Sequence, residues 1–271
     1  PSSSILTSSR ISPEKAGEIL IRQIWKRLPK KLKVKRLVLT APVETYKKYR
    51  SWLLDVCKEL NVSEIALVDE PTAAAMGAGL LPGSKLLVID IGGSTIDMSL
   101  VALEGGEGKA EPVAQLLRFG GENLEGKSNQ VLRCARVLGK AGQRLGGRDI
   151  DRWISNYLCP SVPINEILLN AAERLKCQLS EPSIKETKLI VEKIYNMPLQ
   201  FPQELRLNKL DFEQLLKERG LIKILDKLFE QTLASGKLNG CELSDIEKVV
   251  LVGGGSRIPL IKKWLLGLCN P

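Results

Sequence analysis

Histidine is absent from the 271 residues. That single absence excludes Ser–His and Cys–His catalysis, imidazole metal centres and a histidine pH switch. No apolar run approaches the roughly 18–20 residues that a membrane helix needs, so no membrane partner is expected. No basic stub followed by an apolar segment opens the sequence, and no signal peptide is expected. The six cysteines (Cys57, Cys134, Cys159, Cys177, Cys241 and Cys269) are never closer than eighteen positions. No zinc knuckle or dithiol motif can be written from that spacing. Most have apolar neighbours, as in LLDVCKEL around Cys57, and read as reduced core thiols of a cytoplasmic protein.

What is present is a folded composition, 44% hydrophobic and 26% charged, at a length suited to one large domain or two smaller ones. Forty basic residues against 31 acidic ones give a formal net charge of +9. The excess is local: residues 22–50 carry eleven basic side chains and one acid, Glu44, a net of +10. A nucleic-acid or anionic-lipid patch is one reading of KRLPKKLKVKR at 26–36. A solvated helix end, with lysines favoured by the helix dipole, is the reading preferred here. Trp25, Tyr46, Tyr49 and Trp52 sit at helical spacing and are expected to be core anchors.

Periodicity predicts an α/β chain. Ser12-Pro13-Glu14 opens a helix with apolar positions Ala16, Leu20, Ile24 and Leu28. A strand at Leu37–Ala41, a helix through Tyr46, Tyr49, Leu53, Val56 and Leu60, and a strand at Ile65–Val68 follow. DEPTAAAMGAG then reads as a loop leading into an Ala-rich helix. Leu86–Asp90 and Met98–Leu103 are strands, and Val113–Phe119 is strand-like. Residues 120–148 read as a long excursion, with a short helix suggested by Val131, Leu132, Ala135 and Leu138. Helices over 149–158, 164–179 and 210–233 (broken at Gly220), edge strands at 188–191 and 205–207, a strand at Val249–Val252 and a closing helix over 258–268 complete the pattern.

Two glycine turns carry the chemistry. In Asp90-Ile-Gly92-Gly93-Ser94-Thr95-Ile-Asp97, paired glycines let backbone N–H groups approach an oxyanion. Thr95 adds a hydroxyl, and Asp90 can order magnesium-bound water. No Gly-Lys-Ser/Thr follows, so this is not a Walker loop. The second turn, Gly253-Gly254-Gly255-Ser256-Arg257, joins a strand to a helix and leaves room for a phosphate or a flat ring. Alone, the first turn is more often an ordinary hairpin, and the second is equally well a tight strand–helix connection.

Together with EPTAAA (70–75), LGGRDID (145–151), AAERLKCQLS (171–180) and KLDFEQL (209–215), in this order, they resemble the ATPase domain of the Hsp70/DnaK chaperones. Those belong to the actin, sugar-kinase and Hsp70 superfamily. Ser94 stands for a third glycine of the family's phosphate loop, and Arg148 for an acid. The resemblance implies an actin-like, ribonuclease H-like α/β fold, with a partial first lobe at 1–82 and a second lobe at 83–268. The second lobe would include a helical/β insertion at about 149–235. It implies ATP or ADP with Mg²⁺: Gly92, Gly93, Ser94 and Thr95 on the phosphates, with Asp90 and Glu70 positioning the metal, its waters or the attacking water. Glu173, Lys176 and Ser180 would bond ribose and adenine, Cys177 stands where a base-stacking Arg occurs in some members, and Gly253, Gly254, Gly255, Ser256 and Arg257 would cover the other face.

The family's first phosphate loop and peptide-binding domain are not recognised, so the chain is expected to be an interior piece with little ATP turnover of its own. In the intact protein the resemblance implies client peptides, a J-domain co-chaperone and a nucleotide exchange factor as partners. An MreB-type filament protein and a non-catalytic scaffold are the alternatives.

Overall fold

A computed structural model describes residues 11–29, 31–41, 46–60, 62, 64–79, 81, 83–104, 115–118, 134–196, 198 and 201–269. In chain order the main elements are α1 (Pro13–Lys26), β1 (Arg36–Ala41), α2 (Tyr46–Cys57), β2 (Glu64–Asp69), α3 (Glu70–Gly77), β3 (Lys85–Ile91), β4 (Ile96–Glu104) and β5 (Gln115–Arg118). These are followed by β6 (Cys134–Gln143), α4 (Gly147–Leu158), α5 (Glu166–Leu179), β7 (Ile190–Lys193), β8 (Glu204–Leu207), α6 (Lys209–Glu218), α7 (Leu221–Leu238), β9 (Ile246–Val252) and α8 (Pro259–Cys269). They form two compact units, one from Pro1–Ala73 and Gly106–Cys134, the other from Ala74–Gly105 and Ala135–Pro271.

In the first unit β1 and β2 run parallel from Arg36↔Glu64 to Ala41↔Asp69, and β5 adds antiparallel to β2. The parallel pair needs a crossover, which α2 supplies. At the start of α1 the Ser12 hydroxyl accepts from the Lys15 N–H at 3.2 Å, and Pro13 fills the first helical position, where no N–H is missed. The expected apolar face of α1 is corrected: Leu20 and Ile24 are exposed, whereas Ile21 and Trp25 pack on a small core of Cys57, Leu60, Val62 and Ile65. The row with Ile21 and Trp25 also contains Gly17, where an added Cβ would meet the Trp52 ring at 2.8 Å. That small residue decides which of two interleaved apolar rows can approach α2. Tyr49 is exposed rather than a core anchor, its ring 5.3 Å from that of Trp52.

Two further expectations change. No loop precedes the Ala-rich helix: α3 begins at Glu70 directly after β2, with Pro71 in the first turn, where its missing N–H costs nothing. The helix suggested by Val131, Leu132, Ala135 and Leu138 is not formed at its described end. Residues 134–143 are the edge strand β6 beside β4, and Val131 and Leu132 lie outside the described residues. A short apolar run cannot by period alone separate strand from helix.

The second unit is built on a sheet of order β6-β4-β3-β9. β3 is antiparallel to β4 and parallel to β9, so Asp90 lies opposite Asp97 on one side and Val252 on the other. Alternation divides the core between the sheet faces. Leu87, Ile89, Ile91, Ile96, Met98 and Leu100 share one large cluster with the helices, among them Ile150, Leu175, Phe212, Leu225 and Ile261. Leu86, Val88, Val101 and Leu103 form a second cluster with Ala75. Among the described residues β7 and β8 pair only with each other, as an antiparallel ribbon packed on α5. Gly220, at φ +80°, separates α6 from α7 as expected. Cys57, Cys159 and Cys241 are buried free thiols whose pKa burial pushes up, while Cys177 is a free thiol on the surface. Among the described residues no helix is long and apolar enough to cross a membrane.

Candidate functional site

The first glycine turn leaves the end of β3 and is closed by the Gly92 N–H donating to the Thr95 carbonyl at 2.9 Å. Gly93, Ser94 and Thr95 are exposed. The start of α4 is bound to this turn through its own orphan amides: the Gly147 N–H donates to the Gly92 carbonyl and the Arg148 N–H to the Gly93 carbonyl, both at 2.9 Å. In a trans peptide the N–H opposes the C=O. Tying these two carbonyls to α4 therefore aims the Gly93 and Ser94 N–H groups away from it, as an anion-binding turn requires.

The contact is close enough to demand glycine. A Cβ on Gly146 would lie on the Ser94 nitrogen and 2.5 Å from the Gly93 carbonyl carbon. The Gly146 N–H in turn donates to Asp149 Oδ2 at 3.0 Å.

Helix α5 packs beside α4 and is capped by Asn165, whose side chain accepts from the Leu168 N–H at 2.9 Å. Between them lies a cavity of about 270 Å³ lined by Gly93, Ser94, Gly147, Arg148, Asp151, Glu166, Leu169, Asn170, Glu173 and Lys176. Of the predicted residues, Gly93, Ser94, Glu173 and Lys176 thus line one cavity. Glu173 is exposed there. Lys176 is not: it is 9% exposed, its Nζ 2.7 Å from Asp151 Oδ1, and it donates to the Gly147 carbonyl at 3.0 Å. Burial pushes the Asp151 carboxyl up, and the Lys176 ammonium opposes that shift.

Ser180 is also engaged locally, its hydroxyl donating to the Lys176 carbonyl at 2.8 Å. Arg148 bonds Glu166 Oε1 at 2.6 Å through a side chain half exposed to solvent.

The second glycine turn leaves β9 at the same end of the sheet as the first leaves β3. Gly253 has φ +80°, and a Cβ there would lie 2.5 Å from Asp90 Oδ1 and 2.7 Å from the Ile91 carbonyl carbon. A Cβ on Gly255 would meet the Ile91 oxygen at 2.9 Å. The Ser256 hydroxyl donates to the Gly253 carbonyl at 2.7 Å, which shapes the turn, and Arg257 is exposed. Gly253, Gly254, Gly255, Ser256 and Arg257 do not line the cavity; they abut the β3 end that carries Asp90. Asp90 itself is half-buried, and its carboxyl is pushed up by burial and then by the charge of Asp97. Glu70 begins α3 in the other unit, and its side chain is exposed.

The LGGRDID motif also supplies Gly146, Gly147 and Asp151, to which its pattern alone gives no role. A signal was available for Asp151. The α4 period puts this acid on the face of Ile150, Ile154 and Ser155, and an acid on a buried face requires a partner.

Two glycine turns at the carboxyl ends of adjacent parallel strands, with a helix-lined cavity beside them, define an α/β ligand-binding class. Comparison with known proteins narrows it. Residues 9–269 match the Hsp70 protein family, and the chain belongs to it. It corresponds to a piece of the family's ATPase domain, with mixed helix and sheet content that agrees with an actin-like fold.

Relatives include a chaperone protein DnaK of Cyanidium caldarium, 30% identical over 93% of this chain and 38% of its own length. Those of Thermosipho melanesiensis and Prochlorococcus marinus are each 28% identical over 94% of this chain, covering 40% and 38% of their lengths. The chain therefore spans about two-fifths of these relatives. The filament alternative is not favoured.

Proposed function

We propose that the second unit binds an adenine nucleotide with Mg²⁺, as the ATPase domain of an Hsp70-type chaperone. The observation that supports this is the interlock of Gly146 and Gly147 with Gly92 and Gly93, which turns the Gly93 and Ser94 N–H groups away from α4, as an anion-binding loop requires. Its Gly92, Gly93, Ser94 and Thr95 take the phosphates, with the Thr95 hydroxyl as a further donor. Glu173, at the cavity wall, takes the ribose side, beside Cys177 and Ser180. Gly253, Gly254, Gly255, Ser256 and Arg257 close the adenosine from the other glycine turn.

The donor set near Asp90 suits magnesium. Among the described residues no group of three or more carboxylates and thiols could cage a cation, and Mg²⁺ typically takes one or two carboxylates, several waters and substrate phosphates. Asp90, strained by burial and by Asp97, gains from a nearby cation. Asp90 would hold Mg²⁺ through its waters, and the ion would supply charge neutralisation for the phosphates. Glu70, by its place in the EPTAAA motif, takes the role of positioning water.

In the intact protein this site drives ATP hydrolysis coupled to client peptides, a J-domain co-chaperone and an exchange factor, in the cytoplasm. Residues 1–82 then belong to a first lobe and 83–268 to a second.

Titration of fluorescent ADP onto this chain and onto its Gly93→Val variant tests the reading. A Cβ at Gly93 meets nothing within 4 Å, so the variant folds and its side chain occupies the ligand's place. Binding by the parent and its loss in the variant are expected. Equal or absent binding in both contradicts the proposal.

A further inference from the structure

The cavity beside the first glycine turn carries two basic side chains, Arg148 and Lys176, and three carboxylates, Asp151, Glu166 and Glu173. Lys176 Nζ and Asp151 Oδ1 stand 2.7 Å apart and offset each other. One base, Arg148, is left against Glu166 and Glu173. Carboxylates near a turn that offers N–H groups to an anion repel that anion, so the position of the remaining base decides the local field. The motif that LGGRDID resembles has an acid at this position, and the base is a feature of this chain.

Backbone sets where Arg148 stands. Its N–H donates to the Gly93 carbonyl at 2.9 Å, which holds it one hydrogen bond from the glycine turn whatever its side chain does. The side chain reaches from α4 to the first residue of α5, where Nη2 donates to Glu166 Oε1 at 2.6 Å. Glu166 lies two helical turns before Glu173, on the side away from Ser180. Both side chains are open to water, 54% exposed for Arg148 and 71% for Glu166. An ion pair that open to solvent contributes little and is readily exchanged. A guanidinium has five N–H donors in a planar fork that suits a phosphate, whose charge exceeds that of one carboxylate.

We infer that Arg148 is a specificity-determining residue that reads the ligand's phosphate charge: its guanidinium leaves Glu166 for a phosphate oxygen held at the first glycine turn. Glu166 competes for the same guanidinium and so sets how readily it leaves. The inference rests on the nucleotide reading for the source of the phosphate.

The test uses the chain and its Arg148→Gln, Glu166→Gln and Arg148→Gln/Glu166→Gln variants, all of which keep the backbone bond from residue 148 to Gly93. Affinities are measured for ADP, for inorganic tripolyphosphate, which has no adenosine, and for adenosine, which has no phosphate. Arg148→Gln should weaken ADP and tripolyphosphate by about fivefold, the scale of one ionic contact open to solvent. Glu166→Gln should tighten both, by about twofold, and should change nothing once Arg148 is replaced. Adenosine should bind all four chains alike.

A pair that only braces α4 against α5 predicts weaker binding in both single variants, and that result overturns the inference. So does tightening by Glu166→Gln that persists without Arg148, because the carboxylate then acts on the ligand directly. An effect on ADP without one on tripolyphosphate also overturns it, by placing the guanidinium on adenosine. If the parent binds neither phosphate probe, the nucleotide reading and the role of Arg148 fall together. If the parent and Arg148→Gln bind both probes equally, the role of Arg148 alone falls.

Discussion

Replacing Gly146 by alanine isolates the contact on which the phosphate turn depends. The backbone there is extended, at φ −153° and ψ −165°, a conformation open to any residue. No conformational strain enters. The whole effect comes from the methyl group, which would lie on the Ser94 nitrogen, 2.5 Å from the Gly93 carbonyl carbon and 2.7 Å from its oxygen. Every one of these neighbours is backbone, so no rotamer change relieves the clash.

Overpacking of this kind costs about 1–3 kcal/mol. The separation it forces also stretches the bonds from Gly147 and Arg148 to the turn, each contributing about 1 kcal/mol net. A loss of roughly 3 kcal/mol in the second unit follows from these two terms. Gly93→Ala is the control, because its Cβ meets nothing within 4 Å, and a change within about 0.5 kcal/mol is expected. Urea unfolding would be followed by the fluorescence of Trp153 and Trp264, both in the second unit, with Trp25 and Trp52 replaced by Phe. Coincident midpoints for the parent and Gly146→Ala would refute the interlock.

Two other changes probe the electrostatics. Because burial and Asp97 raise the Asp90 pKa, its ionised form opposes folding above the ordinary carboxylate value, and that penalty disappears as pH falls through the raised value. Asp90→Asn should therefore raise the unfolding midpoint at neutral pH and abolish any tightening of ADP by Mg²⁺, both readable by thermal shift. Lys263 donates to Glu186 Oε1 and to Glu213 Oε2, each at 2.9 Å, and Glu213 is 6% exposed. Lys263→Met should cost about 2 kcal/mol by leaving Glu213 uncompensated, with recovery when Glu213→Gln is added. Lys263 holds the Glu186 carboxyl below its ordinary 4.5. That contribution is present above 4.5 and is lost as pH falls through the depressed value, so the parent should lose more stability on acidification than Lys263→Met.

The sequence shows most of the fold because its strands are short apolar runs bounded by Gly or Pro, and its helices are amphipathic. It misled where two patterns coexist. In α1 the row Ala16, Leu20, Ile24 has the helical period, as does the row with Gly17, Ile21 and Trp25. Only the fit of Gly17 against Trp52 selects between them. Near 134–143 the apolar positions Ala135 and Leu138 fall in a strand beside β4, a choice made by the tertiary neighbour and not by period.

The site was legible as residue types and hidden as contacts. Gly92–Thr95 and Gly253–Arg257 stand out as turns, but nothing in the string shows that Gly146 and Gly147 lock the first one. Nor does it show that Lys176 turns inward to Asp151. Partnerships 25 residues apart depend on how α4 and α5 pack. Within the basic stretch at 22–50, Arg22 is paired to Glu18 and Glu59.

The central claim, a nucleotide site built on the first glycine turn, is tested most directly by mapping amide shifts as ADP and Mg²⁺ are titrated onto the isotopically labelled chain. Perturbations should concentrate at Gly92–Thr95, Gly146–Arg148, Glu173 and Gly253–Arg257. An unperturbed spectrum at saturating ADP, or changes confined to the basic stretch at 26–36, would contradict it.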